Sequence, residues 1–355
     1  MKDPFFIPQI PALSKAVQPW ADRYGLPTLS LHIHEVIVFT LFYTFIQMVI
    51  SPVLSTWLFP SHYPRNSRGK KANWDAHVVS LVQSVLINGM ALWVMFVDDE
   101  RNQMDWQQRI WGYTGAAGLV QAMATGYFVW DLIMTVSYLD VFGLGLLAHA
   151  SSALAVYSLG FKPFLNYYGC TFILYELSTP FLNIHWFFDK LNMTGSKAQL
   201  YNGITLLATF FSCRLVWGTI QSAFVWRDMW RAVHTAPDAG YAAAAALNST
   251  LADPDENMMA FATDAGPIPV WLAGVYIASN ITLNTLNWHW FFKMITAVKK
   301  RFEPPKPAAE KGPNGAVSSA EATGAGKALG AMRKRRSTIE GMVPDSEELR
   351  EGTIQ

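Results

Sequence analysis

Four ionisable side chains stand in runs where almost nothing else is charged: Asp131 in "ATGYFVWDLIMTV" (124–136), then His149, Glu176 and Arg214. Each is of a type that can do chemistry. His149 carries an imidazole, which exchanges a proton near neutral pH without help from its surroundings and so suits a general base. Asp131 and Glu176 are acids, and Arg214 keeps its charge and can pair with either of them. Polar side chains recur around these four at helical steps. His77, Ser84 and Asn88 are spaced by seven and four, and Tyr127 and Asp131 by four. His149 and Ser152 are spaced by three, and Glu176, Thr179 and Asn183 by three and four. A later run offers Asn202 and Arg214. Such steps place side chains on one helical face. Five successive runs, each with a polar stripe, predict a shared polar interior. The competing reading is structural: the ion pair only fixes helix register, and His149 is a hydrogen-bonded core residue.

The elements that must carry these groups are set by the solvent around them. Charged residues make up 15% of the chain, against about 25% in soluble domains, while hydrophobic residues reach 51% and aromatic ones 14%. The net charge is +1, so no global field points to nucleic acid. Seven apolar stretches approach the roughly 20 residues needed to span a bilayer. They lie at about 36–58, 78–97, 110–136, 142–160, 164–188, 200–226 and 268–292. The expected fold is therefore all-α, a polytopic membrane bundle of about seven helices. Residues 1–35, with their prolines, are expected to form an irregular or surface-lying arm. Residues 36–69 hold the first span and a basic loop.

Basic residues in short loops set the expected orientation. Arg65, Arg68, Lys70 and Lys71 follow the first span, Lys190 and Lys197 the fifth, and Lys293, Lys299, Lys300 and Arg301 the seventh. The loop 98–109 is net acidic. The N-terminus is thus expected in a lumen and the C-terminus in the cytosol. The loop 227–267 then faces the lumen and presents Asn248 in "NST" as a glycosylation acceptor. "NMT" at 192–194 faces the cytosol. "NIHWFFDK" (183–190) and "NWHWFFKM" (287–294) fit the aromatic belt at a membrane boundary. The tail, 301–355, is poor in large apolar residues and is expected to stay disordered. Its "MRKRRSTIE" could hold anionic lipid, with Ser337 as a kinase target, or could simply be solvated. Cys170 and Cys213 lie in apolar runs without CxxC or Cys/His spacing, so neither a disulfide framework nor a metal site is expected.

Several segments together resemble the TLC-domain family: "WDAHVVSLVQS" (74–84), Asp98, "GYFVWDL" (126–132), His149, "ELSTPFLNIHWFF" (176–188), "NG" (202–203) and "FFSCRLVWG" (210–218). The family includes ceramide synthases, translocation-associated membrane proteins and smaller lipid-homeostasis proteins. The likeness covers about 70–300, and "ELSTPFLN" looks most similar to the small uncharacterised members. It implies six helices around a cavity for an acyl chain, in the endoplasmic reticulum membrane. In ceramide synthases an adjacent His–His pair supports acyl transfer from acyl-CoA. Here His149 is followed by Ala150, and Glu176 with Ser178 stands where those enzymes carry an acidic segment.

The expected function is to bind a membrane lipid or fatty-acyl chain and act in membrane lipid, including sphingolipid, homeostasis. No cofactor is expected. The first alternative is an acyl-CoA-dependent N-acyltransferase with His149 as base or nucleophile, Asp131 or Glu176 as its orienter, and acyl-CoA as co-substrate. The second is a lipid or ion conduit. Expected ligand-facing residues are His77, Asn88, Tyr127, Glu176, Thr179, Asn183, Asn202 and Arg214. A second copy of the chain is a candidate partner.

Overall fold

A computed structural model describes residues 1–162, 164–240, 258–262 and 267–302. No strand occurs among them, and the chain is all-α. The helices are α1 (Pro11–Tyr24), α2 (Leu29–Phe45), α3 (Ser51–Leu58), α4 (Arg68–Val97), α5 (Asp99–Asn102), α6 (Trp106–Trp111), α7 (Gly115–Ser137), α8 (Leu139–Leu159), α9 (Asn166–Ile173), α10 (Thr179–Lys190), α11 (Lys197–Phe210), α12 (Gly218–His234) and α13 (Val270–Phe302). Wide π turns at Ile46–Ile50 and Phe211–Trp217 join α2 to α3 and α11 to α12. Met1–Trp288 forms one compact unit, and a second unit begins at His289.

Five of these helical runs are long and apolar enough to cross a membrane: Leu29–Leu58, Arg68–Val97, Trp106–Ser137, Leu139–Leu159 and Lys197–His234. The other two stretches expected from the sequence behave differently. The stretch 164–188 is broken into α9, a 3₁₀ turn (Leu174–Ser178) and α10. α13 is a single helix of 33 residues, with Asn280, Asn284 and Asn287 at steps of four and three. The first span also starts earlier than expected. α2 begins at Leu29, so His32, His34 and Glu35 sit inside it, and the arm before it contains the helix α1.

The chain runs back and forth between two ends. At the first, the Thr28 hydroxyl donates to the Phe161 carbonyl (2.8 Å), and backbone bonds join Leu165 to Ile110 and Tyr113 to Met258. At the second, Asn192 meets His62 (3.1 Å) and the Arg68 guanidinium lies over the Tyr138 ring. α7 forms the centre. Gly115, Ala116, Ala117, Gly118, Ala122, Ala124 and Gly126 are all buried. Small residues let membrane helices approach closely, and α2, α4, α8 and α9 all pack on α7. Outward faces are apolar: Met48, Val53, Trp57, Phe96 and Leu144 are exposed. Water would not support that surface, but lipid would.

Candidate functional site

Pro180 starts the site. It has no N–H to donate to the Glu176 carbonyl one turn back. The Thr179 N–H bonds that carbonyl instead, closing the tighter 3₁₀ turn. This break falls midway along the broken stretch and turns Glu176 inward. On the facing run, the π turn Phe211–Trp217 carries Arg214. Inserted turns of this kind often mark functional positions.

Arg214 is 5% exposed and Glu176 is 7% exposed. The guanidinium lies 3.6 Å from Glu176 Oε1. It also donates to Ser178 Oγ (3.1 Å), Thr179 Oγ1 (3.1 Å) and Asn287 Oδ1 (3.0 Å). Glu176 therefore takes Arg214 as its partner, and Asp131 does not. A buried charge survives only when paired and hydrogen-bonded, and these four contacts supply that.

A cavity opens beside this cluster. His149, Glu176, Asn280 and Asn287 line it, with Gln121, Tyr157 and Tyr175. The rest of the wall is largely apolar and includes Phe128, Ala153, Val156, Phe164, Phe172, Val225 and Leu283. The space between their atoms comes to about 870 Å³, counting the part that opens outward. Asn287 spends its oxygen on Arg214, while its Nδ2 is buried with no hydrogen-bond partner among the described residues. The Phe128 ring meets His149 edge-on at 6.2 Å. Gly218 keeps the wall in place: a Cβ there would lie 2.4 Å from the Tyr175 hydroxyl.

The other expected residues gather elsewhere or stay apart. His77 Nδ1 bonds Asn183 Oδ1 (2.7 Å) and its ring stacks on Trp186 at 4.0 Å. Asn183 also donates to Ser80 Oγ (3.1 Å), so it ties α4 to α10. His77 is thus held away from His149 and does not form a pair with it. Thr179 stands between the two clusters through its bond to Arg214. Asn202 donates to the Phe181 carbonyl (2.8 Å), a strap between α10 and α11. Asn88 donates to Ser84 in its own helix (2.6 Å). Tyr127 packs edge-on against Tyr43 at 5.4 Å. Asp131 is partly buried and lies outside the cavity wall. Cys170 and Cys213 are free and buried. Asn248 and Ser337 lie outside the described residues.

Sequence reasoning missed Gln121, Asn280 and Asn287. The asparagines of α13 repeat at helical steps, the same signal that marked the other runs. It also missed a second cluster, in which Asp3, His32 and Glu35 meet near the start of α2. There burial, reinforced by Glu35, pushes the Asp3 carboxyl up to about 7.

The cavity is walled by a broken helix together with residues of α7, α8 and α13. The family model of the TLC domain matches residues 73–296. The chain belongs to the TLC-domain family. An uncharacterised TLC domain-containing protein of Schizosaccharomyces pombe is 37% identical over 290 residues, 82% of this chain and 87% of its own length. Topoisomerase I damage affected protein 4 of Saccharomyces cerevisiae is 30% identical over 280 residues, 77% of this chain and 86% of its own. Human TLC domain-containing protein 4 is 34% identical over 149 residues, 41% of this chain and 55% of its own. None of these relatives is a ceramide synthase by name. The TLC match takes in the TLC-domain residues that build the cavity, from Gln121 to Asn287, and leaves the arm and α2 outside it.

Proposed function

We propose that this TLC-domain protein holds a lipid or fatty-acyl chain in the cavity and acts in membrane lipid homeostasis. The supporting observation is the pairing of a long apolar wall with one unspent donor. Ligand sites combine apolar walls with a few placed polar groups. Here the wall suits hydrocarbon, and Asn287 Nδ2 offers a hydrogen bond to an ester, amide or hydroxyl oxygen at the head of the chain. Burying that donor unmet would be unfavourable by about 1–3 kcal/mol, so an oxygen-bearing ligand is the natural occupant. The location proposed is the endoplasmic reticulum membrane, from the family resemblance, with the N-terminus in the lumen on the strength of the basic loops.

A second reading has one observation in its favour: His149 and Glu176 face the same cavity. An acyl transfer from acyl-CoA to an amine would use His149 as base, with Glu176 rather than Asp131 beside it.

Solvent extraction and mass spectrometry of the protein purified in mild detergent test both. A defined lipid or fatty acid at close to one per chain is expected, reduced by Asn287→Leu. Lipid no richer than that accompanying an unrelated membrane protein would sink the proposal. Turnover of acyl-CoA with an amine acceptor, abolished by His149→Ala, would move the conclusion to the enzyme.

A further inference from the structure

We propose that Asp3, His32 and Glu35 bind a divalent transition-metal ion, of which Zn²⁺ suits the donors best, where the N-terminal arm meets the first turns of α2. The inference is independent of the cavity. His32 and Glu35 are three residues apart on α2 and leave the same face. Asp3 reaches them from the arm. His32 Nδ1 lies 2.9 Å from Glu35 Oε2 and 3.5 Å from Asp3 Oδ2. One donor atom from each of the three falls within 4.8 Å of the others. Ligands bonded to tetrahedral zinc at about 2.0–2.1 Å sit roughly 3.3–3.4 Å from one another. The two His32 separations bracket that value, so the histidine stands near ligand spacing from each carboxylate.

Two further observations point to a cation. Glu35 is fully buried, and its Oε1 has no hydrogen-bond partner among the described residues. His34 Nε2 lies 3.6 Å from that oxygen, and this nitrogen already bonds the Ile7 carbonyl at 3.1 Å. Two acids converging in an apolar setting call for a positive ion or a proton between them. The second observation lies on the other side of the imidazole. His32 Nε2 is 2.7 Å from the Tyr113 hydroxyl. A metal-bound histidine is normally held in this way, with the outer bond fixing the tautomer and aiming the other nitrogen.

The seat of the ring depends on Gly118, where a Cβ would stand 2.4 Å from His32 Nε2 and 2.9 Å from the Tyr113 ring. One nitrogen and two carboxylates, without sulfur, suit Zn²⁺ or Mn²⁺ over soft ions. Three protein ligands leave a place for water. The ion would fasten the arm to the bundle, since Asp3 lies on the arm and His32 and Glu35 lie on α2.

The full chain, purified in detergent and stripped with a chelator, can be reloaded with Zn²⁺, or with Co²⁺ as a coloured stand-in. Elemental analysis and visible absorption then report occupancy. One ion per chain is expected. Asp3→Asn and Glu35→Gln should each weaken binding at least about tenfold, and Tyr113→Phe by about 10–100-fold. Asp3 lies outside every helix, so Asp3→Asn keeps the test decisive if Glu35→Gln fails to fold. Occupancy well below one ion, or occupancy unchanged in Asp3→Asn that elutes as the wild type does, overturns the proposal and leaves an acid pair sharing a proton.

Discussion

Arg214 holds more of the site together than any other single side chain, because one guanidinium serves Glu176, Ser178, Thr179 and Asn287 at once. Replacing it with Met would leave Glu176 buried without a counter-charge. Removing one member of a buried pair is destabilising by about 3–5 kcal/mol, so Arg214→Met should lower the melting temperature in detergent sharply. Arg214→Lys should recover little of that loss, since a single ammonium cannot reproduce a planar fork of donors. Asp131→Asn should lose far less than Arg214→Met, because no ion pair joins Asp131 to another described residue. Equal melting losses in Arg214→Met and Asp131→Asn would contradict the assigned pairing. The sequence made Arg214 and Glu176 conspicuous, since lipid tolerates few charges. It left the choice of partner open because Asp131 and Glu176 both lay within a plausible depth of Arg214. Only the inward turn at Pro180 decides between them.

Breaks within helices, rather than the helices themselves, place the reactive groups. The 3₁₀ turn before Pro180 turns Glu176 inward, and the π turn at Phe211–Trp217 brings Arg214 opposite it. Pro180→Ala returns an N–H to the chain and permits a regular α-helical turn there. Lipid retention and melting temperature should both fall, as Glu176 swings from the wall and away from Arg214. The measurement is lipid per chain beside melting temperature; retention equal to wild type would mean the break is incidental. Gly218→Ala should act similarly on the other wall, by displacing the Tyr175 hydroxyl. Hydropathy made the existence of these elements legible, and motif order made their family legible. Their interruptions were not read: by hydropathy 164–188 is one apolar span, and Pro180 was the signal that could have placed the break. The start of α2 was hidden for the opposite reason. His32, His34 and Glu35 look like polar arm residues until the helix buries them against α7 and the arm.

At the scale of the whole molecule, the fold separates Asn192 from the described residues that flank the segment carrying Asn248. Asn192 lies at the end that holds His62 and Tyr138. Asn248 lies outside the described residues, but its flanks return to the other end. The Tyr113 N–H donates to the Met258 carbonyl at 2.7 Å, and the Ile268 N–H to the Ala232 carbonyl at 3.0 Å. That is also the end of Thr28 and the arm. Attachment of N-linked glycan needs a luminal Asn-X-Ser/Thr, so at most one of the two ends can be modified in a single orientation. The excess of Lys and Arg at the Asn192 end argues that this end stays cytosolic. Translation into microsomes should therefore give one glycosylated form, lost on treatment with a glycosidase and absent in Asn248→Gln, with Asn192→Gln unchanged. A shift that depends on Asn192 instead would invert the membrane orientation. It would also turn the Asp3, His32 and Glu35 cluster toward the cytosol, where a different supply of metal ions would reach it.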